Sequence, residues 1–266
     1  MRRSRSKACS KWHDRHPPVS SLDWLIARPV AHRGLHDAGA GVIENAPAAF
    51  AAAVAANYAI ECDLQISADG EAMVHHDDAL GRLTDGSGRL DQMTSAELRS
   101  VAFKATTDRM ISVGELCDLV AGRVTLVIEL KSGHAGDQRL ASRAAAVLTG
   151  YAGPAAVMSF DPAQIVALRA SAPHLTRGLV AQRRLGRFEL AQVFARSKRA
   201  FAHGRDALRA HPQFIAYSVK DLPAALPLTA RHLCGMPLLT WTVRSAQERQ
   251  RAARWADQMI FEGFRP

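Results

Sequence analysis

Short apolar runs recur along the chain, each separated from the next by helical spacing or a helix-start signal. Read this way, the sequence predicts strands at Val30–Arg33, Ala59–Ile66, Ala72–His75, Thr125–Glu129, Ala155–Ser159, Thr176–Val180, Phe214–Ser218, Leu238–Val243 and Gln258–Phe261. Between them, Pro47 suits the first turn of an alanine-rich helix reaching Ala56. Asp161-Pro162 supplies an N-cap followed by proline at the first helical position. Thr94-Ser95-Ala96-Glu97 and Ser112-Val113-Gly114-Glu115 both have the capping-box pattern, in which a hydroxyl and a glutamate satisfy two free backbone N–H groups. Strands alternating with helices imply a parallel sheet with crossover helices.

One junction breaks the alternation. Only Ser67-Ala68-Asp69-Gly70-Glu71 separates two strands, too few residues for a crossover. Asp-Gly is the strongest short hairpin signal, so this pair is expected to be antiparallel. With that returning arm set aside, eight parallel strands remain of the nine, which favours a (β/α)8 TIM barrel with a β-hairpin insertion after the second strand. If Asp69-Gly70 forms a two-residue turn, Ala68 pairs with Glu71, Asp63 faces His76, and His75 faces away. A single bulge would exchange the two histidines. Residues 1–20 read as a basic tail and 21–266 as the barrel, with an insert at about 182–211.

Composition narrows the class. Of 266 residues, 48% are hydrophobic and 22% charged, which excludes a disordered or fibrous chain. No apolar run reaches the roughly 18 residues of a membrane helix. The net charge of +9 is uneven. Residues 1–17 hold six basic side chains against one acidic, and residues 177–210 hold nine against two. Such runs are most often solvated faces; the alternative is attraction to phosphate-bearing partners. Cys9, Cys62, Cys117 and Cys234 lack metal or redox spacing, and no export signal is visible, so reduced thiols and a cytoplasmic location are expected.

Barrel active sites lie at the carboxyl ends of the strands. There the sequence offers His32-Arg33, Glu61-Cys62-Asp63 and Glu129-Leu130-Lys131, with Glu44 and Asn45 in the loop after the first strand. Glu61 and Asp63, two apart on a strand, share a face. Three or four converging carboxylates without a cysteine make a hard oxygen site suited to Mg²⁺ or Ca²⁺. Two histidines beside it suit either metal ligation or proton transfer. Arg33 and Lys131 supply fixed positive charge for the non-bridging oxygens of a phosphate. The set describes metal-assisted phosphodiester cleavage.

These residues also carry a resemblance. Ala31-His32-Arg33-Gly34 with Glu44-Asn45 resembles the opening signature of the glycerophosphodiester phosphodiesterase family. Glu61-x-Asp63, Asp69-Gly70 and Val74-His75-His76-Asp77 with Leu80, Arg82 and Thr84 are similar to its second block. Ile128-Glu129-Leu130-Lys131, Ser159-Phe160 and Trp241-Thr242-Val243 resemble later ones, in order. The resemblance implies a (β/α)8 barrel that hydrolyses glycerophosphodiesters to glycerol 3-phosphate and an alcohol with one divalent cation. By position, Glu61, Asp63 and Glu129 would be metal ligands with Glu44 a fourth, and His32 and His76 the acid–base pair. Arg33 and Lys131 would hold the phosphate. Trp241 suits barrel-core packing and stacking on the substrate equally well. The expected partner is a small phosphodiester, with transient contact between the basic segments and an anionic membrane surface and no specific nucleic acid.

Three positions depart from the pattern: Ala46 where threonine commonly follows Glu-Asn, Arg244 where asparagine is frequent, and Phe261-Glu262 where Thr-Asp is common. Two rival readings stay open at this point. One keeps the centre but acts on a lysophospholipid or sphingomyelin. The other is a non-catalytic barrel that binds an anionic membrane or nucleic acid through its basic segments.

Overall fold

Residues 22–182 and 208–266 are described by the computed structural model. The basic tail therefore lies outside the described residues, as does most of the expected insert. The strands are β1 (Val30–Ala31), β2 (Ala59–Ile66), β3 (Ala72–Val74), β4 (Leu126–Leu130), β5 (Ala155–Ser159), β6 (Thr176–Ala181), β7 (Phe214–Ser218), β8 (Leu238–Val243) and β9 (Gln258–Phe261). β1 pairs in parallel with both β2 and β9, and every other neighbour in the ring is also parallel. The eightfold barrel is thus closed, and β3 is the antiparallel arm.

Strand alternation sorts the side chains into two cores. On β2 and β4, Ile60, Cys62, Leu64, Leu126, Ile128 and Leu130 face outward, against the helices α4 (Val113–Val120) and α5 (Arg139–Thr149). The intervening Ala59 and Val127 point inward and join Met158, Phe214, Leu239 and Ile260 within the ring. The single turn α1 (Asp23–Ile26) inserts Leu25 into this inner cluster. Both predicted capping boxes are present, heading α3 (Ser95–Ser100) and α4, and Asp161 caps α6 (Pro162–Ser171).

Two details differ from expectation. The first strand stops at Ala31 rather than Arg33, because Arg33 and Gly34 take φ values of 58° and 82° and turn the chain toward α2 (Pro47–Ala55). A Cβ on Gly34 would lie 2.8 Å from the Ala49 Cβ and 2.9 Å from its carbonyl carbon. Gly34→Ala is therefore expected to cost roughly 2–4 kcal/mol through clash and left-handed backbone strain, lowering Tm by about 5–10 °C. Thermal denaturation followed by circular dichroism checks this, and an unchanged Tm would refute the packing argument.

The hairpin register also shifts by one. Leu64 pairs with Val74, Gln65 with Met73 and Ile66 with Ala72. The turn holds three residues, Ala68-Asp69-Gly70, with Gly70 at φ 84° and Ser67 N–H donating to the Glu71 carbonyl at 2.9 Å. Asp69 is tied across to Ser95, accepting from its backbone N–H at 2.9 Å and its hydroxyl at 2.8 Å. The tight two-residue turn is thereby replaced by a wider one with glycine in the left-handed position. Asp63 consequently stands opposite His75, whose N–H donates to the Asp63 carbonyl at 3.0 Å.

Candidate active site

β2 and β4 place three carboxylates at one level of the rim. Their parallel register sets Asp63 beside Glu129, and Glu61 lies one pleat below Asp63 on the same inward face. Each of Glu61, Asp63 and Glu129 offers an oxygen, and the three oxygens all lie within 4.8 Å of one another. All three residues are buried.

Two fixed cations answer them. Lys131 Nζ donates to Glu129 Oε1 at 2.5 Å and lies 2.8 Å from Asp63 Oδ1, an ion pair off the angle of a hydrogen bond. Arg33 Nε is 3.4 Å from Asp63 Oδ2, and the Arg33 backbone N–H donates to Glu61 Oε2 at 2.9 Å. The left-handed turn at Arg33 is what aims that N–H at the carboxylate. Asn45, also left-handed at φ 54°, braces Asp63 through an Nδ2–Oδ2 bond of 2.9 Å.

Burial alone would raise all three carboxyls, and their environments then separate them. Asp63 is penalised by burial, yet Lys131 and Arg33 overcome that and hold it down to about 2. Glu129 is pushed up to about 7 by burial and the Asp63 charge. Glu61 is raised well above the carboxylate range by burial, then by Asp63 and Glu129. Three acids against two cations leave negative charge uncompensated, and in these surroundings a proton or another cation must offset it. An all-oxygen donor set of this size fits a hard divalent ion.

Both histidines line the same cavity as Glu61 and Glu129. His32 Nδ1 lies 2.6 Å from Glu262 Oε2, and its Nε2 lies 3.9 Å from Glu61 Oε2. Burial is the largest influence on His32 and lowers its pKa, against the raising effect of Glu262. Glu262 is itself held down to about 2, first by the His32 hydrogen bond, and Arg244 also contacts it at 3.1 Å. His76 Nδ1 lies 2.7 Å from Asp77 Oδ1, and Arg82 Nε donates to Asp77 Oδ2 at 2.6 Å. Each imidazole is thus held at Nδ1 by a carboxylate that an arginine clamps in turn, which leaves Nε2 for chemistry.

A cavity of about 320 Å³ is lined by His32, Arg33, Glu61, His76, Glu129 and Lys131 on its charged side. Met158, Phe160, Val180, Trp241 and Ile260 form its apolar side. Trp241 meets Phe160 edge-on at 5.4 Å, and its Nε1 has no hydrogen-bond partner among the described residues. A second cavity, of about 770 Å³, shares His76 and Lys131 with the first.

Glu44 is not in the carboxylate group. Its Oε1 accepts from Arg33 Nη1 and Arg82 Nη2, both at 2.6 Å, so it bridges two guanidinium groups instead of joining Glu61, Asp63 and Glu129. His76 does line the cavity, but from beyond the end of β3 and not through pairing with Asp63. Glu262, Asn45 and Asp77 were given no role by the sequence. The available signal for Glu262 was its place directly after the last strand, as His32 directly follows the first, since closing the ring sets Ala31 beside Phe261.

The family described as glycerophosphoryl diester phosphodiesterase matches residues 32–264. The chain belongs to that family. A glycerophosphodiester phosphodiesterase of Caldanaerobacter subterraneus subsp. tengcongensis is 29% identical over 163 residues, covering 58% of this chain and 66% of that relative, just under two thirds of its length. A crystal structure from Silicibacter pomeroyi, of a candidate glycerophosphoryl diester phosphodiesterase, shares 25% identity with a TM-score of 0.69 over 88% of this chain and 89% of that one. An Oleispira antarctica phosphodiesterase, solved in complex with its product sn-glycerol-3-phosphate, has a TM-score of 0.70 at 18% identity, over 88% of this chain and 91% of that one. Among the described residues, no helix is long and apolar enough to cross a membrane.

Proposed function

We propose that the chain hydrolyses glycerophosphodiesters to glycerol 3-phosphate and an alcohol, using one divalent cation, Mg²⁺ or Ca²⁺, held by Glu61, Asp63 and Glu129. The observation that carries this reading is the convergence of those three carboxylate oxygens within 4.8 Å, with Lys131 and Arg33 beside them. A divalent cation bound there would polarise a non-bridging phosphoryl oxygen and offset charge building on phosphorus. Lys131 and Arg33 hold the remaining phosphoryl oxygens.

His32 and His76 move the protons. His32 lines the smaller cavity and not the larger one, and the apolar residues of the smaller cavity, Trp241 among them, would receive the glycerol carbons. There His32 takes the proton of the attacking water as the new bond to phosphorus forms; where the glycerol 2-hydroxyl attacks first, the cyclic phosphate it forms is opened by a water in a second step that yields glycerol 3-phosphate. His76 stands at the junction of the two cavities and gives its proton to the departing alcohol oxygen as the old bond breaks. Glu262 and Asp77 keep each ring in the tautomer and orientation this requires.

The test measures glycerol 3-phosphate released from glycerophosphodiesters, with and without EDTA, beside a long-chain lysophospholipid. Release from the deacylated diesters that EDTA abolishes and added Mg²⁺ or Ca²⁺ restores is the expected result. Full activity in chelator would overturn the metal assignment, and turnover confined to the lipid would move the substrate to the acylated class.

A further inference from the structure

The run Leu80-x-Arg82-x-Thr84 builds a fixed arginine at the rim. Leu80 is buried in one apolar cluster with Ile43, which keeps the segment after β3 against the loop after β1. Thr84, 1% exposed, accepts the Gly81 N–H at its hydroxyl at 3.0 Å, and the Gly81 carbonyl accepts from Lys104 Nζ. Gly81 takes φ 116°, a backbone that residues with a Cβ rarely adopt. Arg82 therefore projects from an anchored turn.

From that turn its guanidinium meets two carboxylates on different segments. Nε donates to Asp77 Oδ2 and Nη2 to Glu44 Oε1, both at 2.6 Å. Asp77 Oδ1 holds His76 Nδ1 at 2.7 Å, and Glu44 Oε1 also accepts from Arg33 Nη1 at 2.6 Å. An unbroken line of charge-assisted hydrogen bonds thus runs from His76 through Asp77, Arg82 and Glu44 to Arg33. Burial penalises Glu44, yet Arg82 and Arg33 hold its carboxyl below the ordinary range. Among the described residues, no backbone hydrogen bond joins residues 33–45 to residues 76–82. Apolar packing brings the two segments together but has no direction, so the polar line sets the His76 ring relative to the Arg33 guanidinium. On the His32 side the line stops at Arg244, whose guanidinium meets Glu262 alone among the described residues.

We propose that Arg82 and Glu44 are positioning residues that tie the proton donor to the phosphate grip, so that His76 is aimed at the leaving oxygen of a phosphorus held by Arg33. The inference rests on the diesterase reading above. Neither residue moves a proton. Without the bridge the His76–Asp77 pair is free to turn, and the cost falls on the step that needs the acid.

The experiment measures kcat/KM on glycerophosphocholine and on a nitrophenyl ester of glycerol 3-phosphate, whose leaving group departs without a proton. Arg82→Met is expected to lose about 10- to 100-fold on the choline ester, the scale of a misplaced catalytic group, and about threefold or less on the nitrophenyl ester. Arg82→Lys keeps the charge, but a single ammonium does not reproduce the fork across both carboxylates, so the same pattern is expected. Added to His76→Ala, Arg82→Met is expected to cost nothing further. Glu44→Gln, which touches Arg33 as well, is expected to slow both esters, the choline ester more. Equal loss on both esters by Arg82→Met would indicate a general structural role and overturn the proposal, as would a further loss in the His76→Ala background or full activity in Arg82→Lys. Release of glycerol 3-phosphate from neither ester by wild type would overturn the diesterase reading and this inference with it.

Discussion

Glu129→Gln is expected to cut kcat/KM for a glycerophosphodiester on the order of 10³-fold or more, equivalent to several kcal/mol of transition-state stabilisation. The variant keeps the side-chain volume and still offers an oxygen to Lys131, so the rim should keep its shape. What it removes is a charge. Glu129 sits beside Asp63 in register and carries a carboxyl raised to about 7 by burial and that neighbour. The same negative charge makes a bound divalent cation favourable. Calorimetric titration with Mg²⁺ and Ca²⁺ should therefore show weaker binding in parallel with the slower rate. Wild-type turnover together with wild-type cation affinity would show that Glu129 is not a ligand.

His76→Ala and His32→Ala should each lower the rate about 10²–10⁴-fold with an alkyl alcohol as leaving group, the usual contribution of a placed general acid or base. The two are separable. A diester whose leaving group departs without protonation, such as a nitrophenyl ester of glycerol 3-phosphate, no longer needs the acid. His76→Ala should recover most of its lost rate on that substrate, whereas His32→Ala should stay impaired, because the attacking hydroxyl must still lose its proton. Equal rescue of both variants, or of neither, would contradict the division of labour drawn from the two cavities. Recovery by His32→Ala alone would reverse it.

Much of the fold could be read from local signals. Strand runs, capping boxes and the short Asp69-Gly70 connection each report on a few neighbouring residues, and each has the expected form or nearly so. The rest depends on distant partners. The hairpin register turns on Asp69 reaching Ser95, 26 residues away, which no local pattern reveals. β1 is cut short because Gly34 must pass close to Ala49 on α2. Glu44 looked like one more rim carboxylate; Arg82, 38 residues further on, draws it to a different task. The inward-facing set Glu61, Asp63 and Glu129 was legible because strand periodicity alone decides which face a residue takes. Which of the rim groups touch one another was not, since that depends on how far each loop carries its side chain.

The contact between His32 and Glu262 spans 230 positions and joins the first strand of the ring to the residue after the last. During synthesis the imidazole emerges 230 positions ahead of its carboxylate partner. The orientation of this ring is thus withheld from the growing polypeptide until the circle is complete, and loss of Glu262 alone would leave Glu61, Asp63 and Glu129 in place beside an imidazole without its partner at Nδ1.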